Sequence, residues 1–158
     1  MKILVSACLL GYNCKYNGGN NYNQEIAQLE ELFEIVPICP EVFGGLTTPR
    51  KPSERIGDKV LTADGDDFTE NFEKGANQAL ELCLKNDCKY AILKAKSPSC
   101  GCGLIYDGTF TGTTIKGNGV ASDLLLKQGV EIYNETNFCE LLNKVKKWKN
   151  LFVKINKW

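Results

Sequence analysis

Lys2-Ile3-Leu4-Val5-Ser6-Ala7-Cys8 is the stretch whose reading decides the fold. Its short apolar run reads as a buried strand over residues 2–6 that delivers a cysteine into the loop beyond it. The arrangement returns twice. Ile35-Val36-Pro37-Ile38 runs into Cys39, and Tyr90-Ala91-Ile92-Leu93 leads through Lys94-Ala95-Lys96-Ser97-Pro98-Ser99 to Cys100. If the three strands are parallel neighbours, their C-terminal ends share one sheet edge, the edge at which open α/β sheets bind ligands. Three thiolates meeting there suit a metal ion or an iron–sulfur cluster.

The rest of the chain supplies the layers around such a sheet. Helical spacing appears over 24–33, 67–86, 120–128 and 136–148, with 67–86 expected to be the longest helix. Strands are expected at 34–38, 89–94 and 130–133, with a small edge strand at 59–62. Residues 11–23, 42–57 and 97–119, rich in glycine, asparagine or proline, read as loops. The segment 150–158 carries no decisive pattern, and packing on the domain is the default for the tail from Trp148 to Trp158. Strands alternating with helices imply a mostly parallel sheet with right-handed crossovers in strand order 2-1-3-4. The expectation is one α/β domain over residues 1–158, Rossmann-like and three-layered, with its site at the C-terminal strand edge.

Composition narrows the chemistry. The chain has 158 residues, 43% of them hydrophobic and 24% charged, which favours one globular core. Lys plus Arg and Asp plus Glu both number 19, so no global field draws the protein to nucleic acid or a membrane surface. No run approaches the ~20 apolar residues of a membrane helix. The N-terminal run is a strand and not a signal peptide, so a cytoplasmic protein without a membrane partner is expected. There, eight cysteines argue for metal ligation or free thiols over disulfides. Histidine is absent from the sequence, so any metal site must use sulfur or carboxylate.

The eight cysteines divide. Cys83 lies on the apolar stripe Phe68, Phe72, Ala76, Ala79, Leu80, Cys83, Leu84; Cys88 begins a strand; Cys139 lies beside Phe138 and Leu142. All three read as core. Cys8, Cys39 and Cys100 are the candidate ligands, Cys14 and Cys102 are ambiguous, and zinc held by Cys8, Cys39, Cys100 and Cys102 is a rival to a cluster. Glu41, Ser97 and Ser99 stand next to these positions and suit proton transfer. Read blandly, Glu41 is a helix cap and Ser97-Pro98-Ser99 a turn.

Longer motifs add a resemblance. Val5-Ser6-Ala7-Cys8-Leu9-Leu10-Gly11, Asn13-Cys14-Lys15-Tyr16-Asn17-Gly18 and Val36-Pro37-Ile38-Cys39-Pro40-Glu41-Val42-Phe43-Gly44-Gly45-Leu46 come in order. Thr48-Pro49-Arg50-Lys51-Pro52, Leu93-Lys94-Ala95-Lys96-Ser97-Pro98-Ser99-Cys100-Gly101 and Ile105-Tyr106-Asp107-Gly108-Thr109-Phe110 follow. Together they resemble the thiouracil desulfidase family in its stand-alone, single-domain form, from residue 3 to about 133. The resemblance implies a [4Fe–4S] cluster held by Cys8, Cys39 and Cys100, with one iron left open, and a catalytic pair in Glu41 and Ser97. It implies non-redox removal of sulfur, as sulfide, from a thiolated pyrimidine: 2-thiouracil, 4-thiouridine or 4-thio-UMP. Nucleic acid is not the expected partner, although nucleotides derived from thiolated tRNA fit.

Family members vary at the position of Cys14, so the resemblance does not make it a ligand, and Cys102 is an extra thiol beside the motif. Lys15-Tyr16-Asn17-Gly18 stands where the family often has arginine, tyrosine, aspartate and glycine, keeping the cation and losing the acid. For a nucleotide, Lys15, Arg50, Lys51, Ser99 and the backbone at Gly44 and Gly45 are the expected substrate contacts. An iron–sulfur or sulfur carrier without catalysis, and a structural zinc protein, are the alternatives.

Overall fold

The computed structural model describes residues 1–155, with side chains described through residue 147. Four parallel strands form its central sheet, in the order β2-β1-β5-β8. They are β1 (Lys2–Ser6), β2 (Glu34–Ile38), β5 (Tyr90–Ile92) and β8 (Glu131–Tyr133). This is the expected 2-1-3-4 order. In register, Ser6 pairs with Ile38 and Val5 with Ile92, so β1, β2 and β5 end side by side.

Side chains alternate across the sheet, and both faces are covered, as a parallel sheet requires. Leu4, Val36, Ile38, Ala91 and Leu93 pack against α3 (Thr69–Lys85) and α4 (Val120–Lys127) through Ala76, Ala79, Cys83, Ala121 and Leu125. Ile3, Val5, Tyr90, Ile92 and Tyr133 face α1 (Gln24–Ala27), the 3₁₀ turn that follows it and α5 (Phe138–Ile155) through Ile26, Leu29, Phe138, Leu141 and Val145.

Several elements depart from expectation. The helical pattern over 24–33 is one α-turn, α1, tightened into a 3₁₀ turn at Gln28–Glu31. Residues 42–57 are not all loop, because Ser53–Ile56 is strand β3, antiparallel to β4 (Lys59–Thr62). Residues 97–119 hold a second hairpin, β6 (Leu104–Tyr106) with β7 (Thr114–Lys116). Helix α3 has 17 residues and α5 has 18, so α3 is not the longest. On α5, Phe138, Leu141 and Val145 share the inward face at helical spacing. That spacing turns neighbouring Cys139 outward: it is exposed and not core, whereas Cys83 and Cys88 are buried as expected. The side chains of the tail from Trp148 to Trp158 lie outside the described residues. Among the described residues, no helix is long and apolar enough to cross a membrane.

Two close backbone approaches position the site. The one-turn helix α2 (Pro40–Phe43) lies on α3. A Cβ on Gly75 would stand 1.9 Å from the Pro40 carbonyl oxygen, and one on Gly44 would stand 2.0 Å from that of Asn71. A Cβ on Gly119 would meet the Ser99 carbonyl carbon at 2.4 Å and the Cys100 nitrogen at 2.8 Å. These atoms are backbone, so neither contact yields to a rotamer change. Gly75→Ala should therefore lower stability by ~1–3 kcal/mol, the usual cost of overpacking. Leu84→Ala, at a side chain 62% exposed, should change it by less than ~0.5 kcal/mol. Equal unfolding midpoints for Gly75→Ala and the wild type in urea would refute the close-packing account.

Candidate iron–sulfur site

Three strand ends bring three thiols to one cavity of about 470 Å³. Cys8 lies in a 3₁₀ turn, Ala7–Leu10, directly after β1. Cys39 follows β2 and caps α2. Cys100 is reached from β5 through a turn in which its backbone N–H donates to Ser97 Oγ at 3.1 Å, while Ser122 Oγ donates to its carbonyl at 2.7 Å. A fourth thiol joins them. Cys14 lines the same cavity, and its carbonyl oxygen lies 3.9 Å from the Cys39 sulfur. The loop from Gly11 to Asn23 carries it there by folding back on the 3₁₀ turn, where Asn21 and Asn23 donate their N–H groups to the Cys8 and Leu9 carbonyls at 2.9 Å. All the cysteines are free.

The thiols differ in acidity. The Cys14 hydrogen bond draws Cys8 down to about 7 against the opposing effect of burial, with Asn21 and the Lys94 charge assisting. Cys39 is also lowered, first by Cys14, then by the Val42 backbone and Arg50. Cys14 is raised, by the neighbouring Cys39 and Cys8 thiols and by burial. Burial pushes Cys100 up to about 12, although hydrogen bonds from Ser6 and Ser99 oppose it.

Glu41 sits in the first turn of α2 and completes the site. Its Oε1 accepts from Arg50 Nε at 3.2 Å and its Oε2 accepts from Ser99 Oγ at 3.1 Å. It is neither a cap nor a solvated carboxylate. Ser97 is one step back: its Oγ lies 3.0 Å from Ser99 Oγ and accepts the N–H groups of Ser99 and Cys100. Ser99, and not the Ser97 that the resemblance pairs with Glu41, is thus the residue that meets it.

Arg50 lines the cavity, but its side chain is 4% exposed and committed to the protein. Besides Glu41, it donates to the Thr47 carbonyl, Thr48 Oγ1 and the Cys14 carbonyl, the last at 2.8 Å. Lys51 points away, onto Asp64 and Asp66 at 2.7 Å each. Gly44 and Gly45 are not part of the lining, and Gly44 is pressed on the Asn71 backbone. Lys15 does line the cavity, its ammonium 5.6 Å from the centre of the Tyr16 ring.

The opposite wall comes from the two hairpins, which sequence reading missed. Tyr106, Phe110 and Gly112 come from β6 and its turn, and Ser53 and Glu54 from β3. Glu54 is 6% exposed and accepts the Phe110 N–H at 3.0 Å. That bond holds Phe110 at φ 58°, a conformation that is rare for an aromatic residue. Phe110 closes one of the family motifs but Glu54 lies in none, and only their pairing in space reveals the wall.

The donor set fits an iron–sulfur cluster: cysteine thiols from three elements face one cavity, with two already inclined to ionise. It does not fit the zinc alternative. Cys102 is absent from the lining, and among the described residues no three Cys, Asp or Glu side chains are grouped to hold a single metal ion. Tetrahedral zinc would draw its sulfurs to within about 4 Å of one another. In cluster-free protein near pH ~7, Cys8 is about half thiolate and Cys100 is almost wholly thiol. Iodoacetamide should therefore label Cys8 well before Cys100, and Cys14→Ala should slow labelling of Cys8. Peptide mass mapping that found equal rates would contradict these electrostatics.

Comparison with known proteins matches this architecture. Residues 3–137 match the 2-thiouracil desulfurase family. The Bacillus subtilis (strain 168) protein YbbK, described as uncharacterised, is 40% identical over 150 residues, covering 89% of this chain and 99% of its own length. A solved structure of TudS, a [4Fe-4S]-dependent thiouracil desulfidase, superposes with a TM-score of 0.87 at 41% identity, covering 92% of this chain and 97% of TudS. On the sequence match and the shared α/β architecture, the chain belongs to the 2-thiouracil desulfurase family.

Proposed function

We propose that this protein hydrolyses the carbon–sulfur bond of thiolated uracil compounds (2-thiouracil, 4-thiouridine or 4-thio-UMP) and releases sulfide. In this reading Cys8, Cys39 and Cys100 hold a [4Fe–4S] cluster and leave one iron without a protein ligand from that set. The observation that carries it is the convergence of these thiols with the Glu41–Ser99–Ser97 chain on one cavity. The bound cluster would supply a thiophilic Lewis acid that polarises the carbon–sulfur bond.

The protein's own groups handle the proton. The Arg50 Nε–H occupies Glu41 Oε1 and fixes the carboxylate plane. Glu41 Oε2 then faces the cavity as the base for an attacking water and, later, as the donor to the departing sulfur. Ser97 Oγ accepts two backbone N–H groups, so its own hydrogen is directed to Ser99 Oγ, whose hydrogen goes to Glu41 Oε2. The two hydroxyls form a one-way chain that orients Glu41 and can pass it a proton. Water and a thiocarbonyl give a carbonyl and hydrogen sulfide, so no oxidant or reductant is consumed.

Anaerobic reconstitution followed by incubation with the three thiolated compounds should yield sulfide; none from any of them would overturn the reading. Glu41→Gln should cut the rate by ~10²–10⁴ while leaving the cluster absorbance intact. A carrier without catalysis would be indifferent to that change. Cys8→Ala, Cys39→Ala and Cys100→Ala should each lose the cluster, whereas Cys83→Ala should keep it. Lys15 is the cavity cation with no carboxylate partner recorded among the described residues. Lys15→Ala should raise KM for 4-thio-UMP about tenfold, the worth of one charge-assisted contact, and leave KM for 2-thiouracil unchanged. An equal effect on both would remove Lys15 from phosphate recognition.

A further inference from the structure

Glu54, on β3, is the carboxylate at this cavity to which the chemistry above gives no part. It is 6% exposed and lines the cavity. Its Oε1 accepts the Phe110 N–H at 3.0 Å, a bond that ties β3 to the turn between β6 and β7. Among the described residues, no hydrogen bond reaches Oε2 and no lysine or arginine pairs with the group. The two arginines nearest in sequence are committed elsewhere, Arg50 to Glu41 and Arg55 to Asp123 and the Asn118 carbonyl. Every side-chain oxygen sealed from solvent among the described residues has a hydrogen-bond partner, so Oε2, which has none, opens on the cavity. A buried carboxylate with unused lone pairs is costly unless a donor reaches it. Here that donor has to come from whatever occupies the cavity.

We propose that Glu54 Oε2 accepts the ring N3–H of a thiolated uracil and so selects pyrimidines that carry a donor at that position. The inference rests on the desulfuration reading of the site. N3 lies between C2 and C4, so one acceptor serves a substrate with its sulfur on either carbon. It is also the ring N–H that remains when N1 carries a ribose, so base, nucleoside and nucleotide all present it. Tyr106 and Phe110 line the same wall and offer aromatic surface to a planar heterocycle. The Phe110 N–H also fixes what a substitution would show the substrate. A carboxylate is an acceptor on both oxygens, whereas an amide here must give its oxygen to the Phe110 N–H and turn its NH₂ to the cavity. Glu54→Gln therefore exchanges an acceptor for a donor with little change of shape. Cytosine-type rings, whose N3 is an acceptor, are the class that the wild type rejects and that this variant suits.

The test measures sulfide release by reconstituted wild type and Glu54→Gln from 2-thiouracil and 2-thiocytosine, which share the C2 sulfur and differ in the N3–H. Wild type should favour 2-thiouracil at least ~10-fold in kcat/KM, the scale of one hydrogen bond to a charged group. Glu54→Gln should lower that preference at least ~10-fold, by losing 2-thiouracil and not 2-thiocytosine, whereas a loosened fold would lower both and leave the ratio as it was. Equal values in the wild type, or an unchanged ratio in an active variant, overturn the proposal. If the variant is inactive, wild type with two methylated substrates decides. Preference for 5-methyl-2-thiouracil, which keeps the N3–H, over 3-methyl-2-thiouracil supports the contact, and equal rates overturn it. Absence of sulfide from wild type with 2-thiouracil is failure of the desulfuration reading alone. Equilibrium dialysis of the unreacted compounds then decides on Glu54: tighter binding of 2-thiouracil than of 3-methyl-2-thiouracil supports the contact, and equal binding or none overturns it.

Discussion

The site depends on backbone packing against backbone at positions where a side chain has no room. Gly75 admits the Pro40 carbonyl, so α2 settles on α3 and carries Cys39 and Glu41 with it. Gly119 admits the Ser99–Cys100 peptide, so the start of α4 closes behind the deepest thiol. Both contacts lie behind residues of the cavity lining, Pro40 in one and Ser99 and Cys100 in the other. Each removes the freedom of a loop that would otherwise wander at the edge of the sheet, and together they fix Glu41 and Ser99 within a hydrogen bond of each other.

The second constraint is the buried charge of Arg50. Taking a guanidinium out of water costs several kcal/mol unless every donor is used and a counter-charge lies close. Here the partners are Glu41, two groups of the Thr47–Thr48 turn and the Cys14 carbonyl. The residue that orients Glu41 therefore also holds the loop that bears Cys14. Electrostatic satisfaction of one side chain couples two segments far apart in sequence.

How far the sequence reveals this depends on the range of the signal. The parallel sheet and its thiol-bearing edge are legible because each strand is a short apolar run with a cysteine just past its end. Glu41 is legible through its place after Cys39-Pro40. Strands β3, β6 and β7 are not, because three or four residues in a glycine- and proline-rich stretch become strands only by pairing with each other. Cys14 reads as a bystander because it reaches the site by loop closure, which no periodicity encodes. Arg50 reads as a phosphate ligand because a cation in a loop is solvated by default, and its burial is a tertiary fact. Cys139 reads as core because it adjoins Phe138, and one step along a helix turns a side chain by about 100°.

The cavity has two walls of different origin. The wall that carries the thiols and Glu41 hangs from the central sheet and its helices, while the facing wall, with Phe110 held by Glu54, belongs to two small hairpins outside that sheet. A hairpin can be lengthened, shortened or reshaped at its turn without disturbing a parallel sheet buried on both faces. Reaction type and molecular fit are therefore separately adjustable in this fold: one set of thiols and one carboxylate can serve differently sized heterocycles through changes confined to the hairpins.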